Sequence, residues 1–135
     1  MIEINNLTKF AVDKKSFAQV AKKVLSGENK KTETLSLAFV GKEEIAKLNK
    51  KFRKKNKPTD VLSFDLKREG YLGEIIICPE VVKENAKKDG TTMKKEMMKV
   101  FIHGILHLLG YDHEKTEKEA LIMESKQEKY LSKVK

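Results

Sequence analysis

Apolar residues fall into two kinds of pattern along this chain of 135 residues. Residues 2–7 (IEINNL) alternate loosely and read as a first strand. Residues 33–40 (ETLSLAFV) set Leu35, Leu37 and Phe39 against Thr34, Ser36 and Ala38, a strand with one strongly apolar face. Pro58-Thr59-Asp60 turns the chain into a strand at 61–66, and Lys67 to Gly70 link it to another at 72–78. These two form an antiparallel hairpin. Ile75, Ile76 and Ile77 in succession predict a strand covered on both faces.

Helical spacing appears between and after these runs. Phe17, Val20, Ala21, Val24 and Leu25 share one stripe over residues 14–26, with Gly27 as the stop and a polar loop at 28–31. After Gly41, Glu43 and Glu44 occupy a first helical turn, and Ile45, Leu48 and Phe52 form that helix's buried stripe. Pro79 opens a short helix that runs to about Lys88 and stops at Gly90. Thr91 or Thr92 caps a helix from about Met93 to Leu109 whose apolar residues surround it, which predicts a buried central helix. Thr116 and Glu119 form a capping box that opens a last helix, ending at about Leu131. The order β-α-β-α-β-β-α-α-α predicts an α/β layered domain with a small mixed four-stranded sheet and about five helices.

Composition narrows the picture. The length suits one domain with a real core, spanning residues 1–135. There are 29 Lys+Arg against 20 Asp+Glu, a net charge of +9, which favours an acidic partner such as nucleic acid. No apolar run reaches the roughly 20 residues of a membrane span, and MIEINNLTKF lacks the layout of a signal peptide. The single cysteine, Cys78, excludes an intramolecular disulfide. A cytoplasmic protein with no membrane partner fits these features.

The chemistry concentrates in HGILHLLGYDH, which holds all three histidines. His103 and His107 are four apart, so a helix places them on one face, one turn apart, where two imidazoles can share a metal ion. His113 joins them only if the helix stops and the chain doubles back. Gly110 is placed for that: in left-handed conformation it closes the last turn, Tyr111 packs back on Leu106, and Asp112 continues the turn. Three neutral imidazoles suit one Zn²⁺ and leave a fourth position for water, so the site reads as catalytic.

The spacing H-x₃-H-x₂-G-x₂-H is that of the metzincin proteases, but Gly104 stands where their general-base glutamate would be, which argues against peptide hydrolysis. The fuller string resembles the YbeY family, bacterial single-strand-specific endoribonucleases of ribosomal RNA maturation. Arg53 followed by PTDVLSF at Pro58–Phe64, then LGEIIIC at Leu72–Cys78, extends the resemblance in order along the chain. The resemblance implies a zinc-dependent endoribonuclease with a small sheet and a central helix carrying the metal ligands. It also implies action on the 16S precursor in 3′-end maturation and ribosome quality control, with the ribosomal particle, and ribosomal or GTPase assembly proteins, as partners.

Candidate site residues follow. His103, His107 and His113 are the metal ligands and, with Arg53, the catalytic set. Arg53 is one of two arginines, beside many lysines; its planar fork grips a phosphate bidentately, as lysine cannot. The resemblance also places a functional arginine here. Lys50, Lys54 and Lys57, from the basic stretch at 47–57, are candidate RNA contacts. Metal-activated water or a neighbouring 2′-OH could attack the phosphodiester, with Arg53 offsetting charge at phosphorus. Asp112 and Asp60, then Asp65 and Glu74, are the carboxylates nearest the motifs, Asp112 reading best as a turn or supporting residue. Thr59 and Ser63 belong to the same family-like string. The aromatic residues sit mostly in core-like positions, so base-specific readout is not expected. Two alternatives remain: a metzincin-like metalloprotease, and a non-enzymatic ribosome assembly factor with a structural metal.

Overall fold

The structure, a computed structural model, describes residues 1–66, 68–112 and 114–134. Its strands are β1 (Ile2–Asn6), β2 (Thr34–Phe39), β3 (Val61–Phe64) and β4 (Tyr71–Ile77). They form one sheet in the order β1-β2-β4-β3. β1 and β4 each lie parallel to β2, while β3 runs antiparallel to β4 as the outer strand of a hairpin. The sheet is therefore mixed, as the pattern predicts. β3 stops at Phe64, two residues short of the expected strand.

The helices are α1 (Lys14–Gly27), α2 (Lys42–Arg53), α3 (Pro79–Asp89), α4 (Met93–Leu108) and α5 (Glu117–Leu131). Their ends use the expected chemistry. Thr92 accepts from the Lys95 amide at 3.1 Å and Thr116 from the Glu119 amide at 3.0 Å, each satisfying a donor that the first helical turn would leave orphaned.

Strand alternation divides the core in two. Leu35, Leu37 and Phe39 of β2 and Ile75 and Ile77 of β4 face α1, α4 and α5. Ile76, Ala38, Leu62 and Phe64 face the other way, toward Ile45 and Leu48 of α2. The isoleucine run is thus covered on both sides. α4 is the centre of the larger cluster: Phe101, Ile102, Ile105 and Leu106 are fully buried, each contributing roughly 2 kcal/mol of apolar burial.

Two glycines let α4 lie close on the hairpin. A Cβ on Gly104 would come within 3.1 Å of both Ser63 Oγ and Ile75 Cδ1. Gly73 has φ +155°, and a Cβ there would overlap the Phe64 carbonyl oxygen and approach Leu108 Cδ2 to 2.8 Å. The same region carries the irregularity in β2–β4 pairing, where Leu35 pairs with Gly73 and Thr34 with Tyr71.

One core assignment is corrected. Phe52, expected in the buried stripe of α2, is 55% exposed. The buried position is taken instead by Asn49, whose Nδ2 donates to the Lys57 carbonyl at 2.9 Å. The reason is architectural. Phe52 sits on the last turn of α2, where its ring meets Phe64 of β3, the outer strand, rather than the middle of the sheet.

Candidate active site

His103 and His107 both lie on α4, one turn apart on one face. His103 is half-buried and His107 exposed at the helix end. His103 Nδ1 lies 2.8 Å from Oε1 of Gln127 on α5. An amide oxygen at that distance takes a proton from Nδ1, so in the neutral ring the lone pair belongs to Nε2. That is the tautomer of a metal-ligating histidine whose other nitrogen is held by a neighbouring acceptor.

The chain then reverses at Gly110, as its position predicts. Gly110 has φ +103°. Its amide donates to the His107 carbonyl at 3.0 Å, and the Tyr111 amide to the Leu106 carbonyl at 3.1 Å. This pair of bonds is the Schellman closure, which satisfies carbonyls that the helix end would leave bare. Asp112 Oδ1 accepts from the Glu114 amide at 2.8 Å, so this carboxylate serves the turn, as its supporting reading anticipates. His113, the third candidate ligand, lies outside the described residues. Among the described residues no group of three His, Cys, Asp or Glu side chains stands close enough to hold a metal.

The donor chemistry of the two described histidines nevertheless fits zinc. They are imidazoles spaced to face one ion, and one has its ring orientation fixed from a second helix. Gly104 between them turns toward the sheet, against Ser63 and Ile75. A larger residue at this position would press its Cβ on Ser63 and Ile75, so the glycine lets α4 lie close on β3 and β4.

The turn after α4 is anchored by Glu28, whose sequence surroundings are those of a polar loop. Glu28 caps the C-terminus of α1, and its side chain is only 7% exposed. It accepts from the Tyr111 hydroxyl at 2.5 Å, from the Tyr130 hydroxyl, and from Lys126 Nζ at 3.2 Å. Burial pushes the Glu28 carboxyl up, but the donors from Tyr111, Tyr130 and Lys126 outweigh it and hold the group below its ordinary value. The same contact raises the phenol of Tyr111. α1, α5 and the turn leading from His107 are thereby tied at one carboxylate. No local pattern marks Glu28. Gln127 had a weak signal, because it shares a helical stripe with buried Met123 and Tyr130.

The other candidates lie elsewhere. Arg53 is exposed on the last turn of α2, with Lys50, Lys54 and Lys57 exposed around it. α2 packs through Ile45 and Leu48 on the face of the sheet opposite α4, and these cations stand at its exposed C-terminal end and in the loop after it, near the outer strand β3. Asp60 serves the hairpin: its carbonyl accepts from the Cys78 amide at 2.9 Å, and its Oδ1 accepts from the Thr59 hydroxyl at 3.3 Å. Val61 and Ser63 of the PTDVLSF string lie on the side of the histidine helix, Ser63 beside Gly104. Glu74 lies in β4 between Gly73 and Ile75. Cys78 is fully buried, and burial pushes its thiol up, which keeps it protonated. Among the described residues no helix is long and apolar enough to cross a membrane.

Comparison with known proteins shows the family. The family model described as Endoribonuclease YbeY matches residues 3–135. A protein of that name from Bdellovibrio bacteriovorus is 51% identical over 102 residues, covering 76% of this chain and 67% of that protein. Another from Sulfurihydrogenibium sp. is 40% identical over 128 residues, covering 91% and 84%. The solution structure of TM1509 from Thermotoga maritima superposes with a TM-score of 0.74 at 39% identity, covering 99% of this chain and 89% of that one. A four-stranded mixed sheet, a buried histidine-bearing helix and this extent of match lead to one assignment: the chain belongs to the YbeY endoribonuclease family.

Proposed function

We propose that this chain is a zinc-dependent endoribonuclease of single-stranded RNA, acting as one domain over residues 1–135 in the cytoplasm. Its task in this reading is 3′-end maturation of 16S ribosomal RNA and ribosome quality control. The ribosomal particle and its assembly proteins are the partners. Family membership supports RNA cleavage. The observation that carries the metal chemistry is the 2.8 Å contact from His103 to Gln127 on a helix that also bears His107.

In this reading His103, His107 and His113 hold one Zn²⁺. When bound, the ion supplies Lewis-acid polarisation and a water of lowered pKa. The chain's own residues do the rest. Gln127 keeps the proton on His103 Nδ1, and Gly104 seats α4 against Ser63 and Ile75. Arg53 offsets the charge that builds at phosphorus, a contact whose loss commonly costs on the order of 3 kcal/mol of barrier. Lys50, Lys54 and Lys57 bind the flanking phosphates. An unpaired strand suits a recessed metal site, because it can bend its backbone toward the ion where a duplex cannot.

The test incubates zinc-loaded protein with single-stranded RNA, duplex RNA and casein in parallel. Cutting of the single strand, lost in His107→Ala and in Arg53→Ala with both variants folded, is the expected result. Casein cleavage abolished by His107→Ala would instead establish the protease reading. RNA processing untouched by Arg53→Ala, with a melting temperature lowered by chelation, would establish a structural metal in an assembly factor.

A further inference from the structure

Phe52 is a large apolar side chain standing in solvent at the end of α2. It is not isolated. Its ring meets Phe64 of β3 edge to face, with centroids 4.9 Å apart and planes at 60°. Phe64 is itself packed on the smaller core beside Leu48 and Val81, so the pair is braced from below. Lys51 Nζ lies 5.2 Å from the Phe52 ring centroid. Lys50, Arg53, Lys54 and Lys57 are exposed on the same end of α2 and in the loop after it. The Asn49 amide draws the Lys57 carbonyl back at 2.9 Å, so the lysine-rich loop folds against the helix that carries Phe52.

We propose that Phe52, braced by Phe64, is a stacking platform for an unpaired nucleobase of single-stranded RNA whose phosphates are held by the cations around it. The inference deepens the RNA reading above and rests on it. Charge complementarity selects the occupant: a ring set among cations suits a polyanion that also presents flat π faces. A double helix hides its bases in the stack, whereas an unpaired strand offers them. A phenyl ring has no hydrogen-bonding group, so the platform tolerates any base. β3 connects this platform to the histidines. Ser63 stands against Gly104, next to His103, and Phe64 follows it with its side chain on the opposite face. A strand crossing that edge places one base on Phe52 while its continuation reaches α4.

The test measures binding of the full chain to a short, non-cleavable 2′-O-methyl single strand, and to the same strand with abasic sites. Phe52→Ala should weaken the intact strand by about tenfold and the abasic strand by less than about twofold. Phe52→Trp should restore binding of the intact strand. Phe52→Leu keeps apolar packing on Phe64 without a π face; it should fold like the parent and bind weakly, which covers any failure of the alanine variant to fold. Arg53→Ala should weaken both strands alike. Equal loss on both strands for Phe52→Ala, or no loss on either, overturns the platform and leaves the RNA reading standing. A parent chain that binds neither strand overturns both. A parent that self-associates through Phe52, seen as a change in sedimentation in the alanine variant, also overturns the platform.

Discussion

Gln127 on α5 meets His103 on α4 at 2.8 Å, so the ring orientation of one candidate ligand is set by a helix that begins after the ligand motif has ended. Removing this acceptor takes away one hold on the orientation and tautomer of the imidazole. Gln127→Leu should weaken zinc binding by roughly tenfold or more, read by competition against a chelator. Gln127→Glu, which keeps an acceptor, should hold the affinity. Unchanged affinity in the leucine variant would show that the contact has no bearing on metal.

Glu28 gives the fold a dependence on acid. Its folded-state carboxyl lies below the ordinary value of 4.5, so its contribution is fully present above that pH and is lost as pH falls through the lower, folded value. The parent should therefore lose melting temperature progressively below about pH 4.5. Glu28→Ala leaves two tyrosine hydroxyls and Lys126 without their acceptor and should cost about 3 kcal/mol at neutral pH. The alanine variant should also show a flatter decline between pH 5 and 3 (rough bounds for a carboxylate transition). An identical acid limb in both proteins, followed by circular dichroism, would remove Glu28 from the account.

Gly104→Glu restores the letter sequence of a metzincin motif without its chemistry. Its Cβ would lie 3.1 Å from Ser63 Oγ and Ile75 Cδ1, so these side chains or α4 must shift to admit it. Overpacking and a buried carboxylate together should cost about 4 kcal/mol or more, with no casein cleavage gained. A stable variant with proteolytic activity would mean that α4 can shift off the hairpin.

Lys54 is in left-handed conformation, φ 58°, at the C-cap of α2. Lys54→Gly should therefore raise stability by up to about 1 kcal/mol while weakening RNA binding. If Lys54 contacts a phosphate, the log–log salt slope for a single strand should also fall by about 0.7. A gain in stability with the salt slope unchanged would leave Lys54 as a cap and remove it from the RNA surface.

The helices, the hairpin and the glycine-made reversal after α4 were legible in the chain because each depends on local rules. Leu35, Leu37 and Phe39 alternate because strands do, and Thr92, Thr116 and Gly110 mark helix ends through bonds within a few residues. The pairing of His103 with His107 is local in the same sense. Phe52 was misread because helical periodicity states which residues share a face but not how far the covering layer extends. Glu28 was passed over for a similar reason. Nothing near it in sequence distinguishes a solvated loop carboxylate from one that gathers Tyr111, Lys126 and Tyr130 from about a hundred residues away.

From the sequence alone came the element order, the helix that carries two imidazoles, the bend after it, and the basic surface of α2. Only the folded chain decided that Gln127 orients His103, that Glu28 anchors Tyr111, and that Gly104 faces β3 and β4. It also decided that α2 packs on the face of the sheet opposite α4. The physical reason is range. Backbone hydrogen bonds and side-chain periodicity act over one to four residues, whereas a buried carboxylate or an oriented imidazole takes its partners from whichever elements the core has packed together.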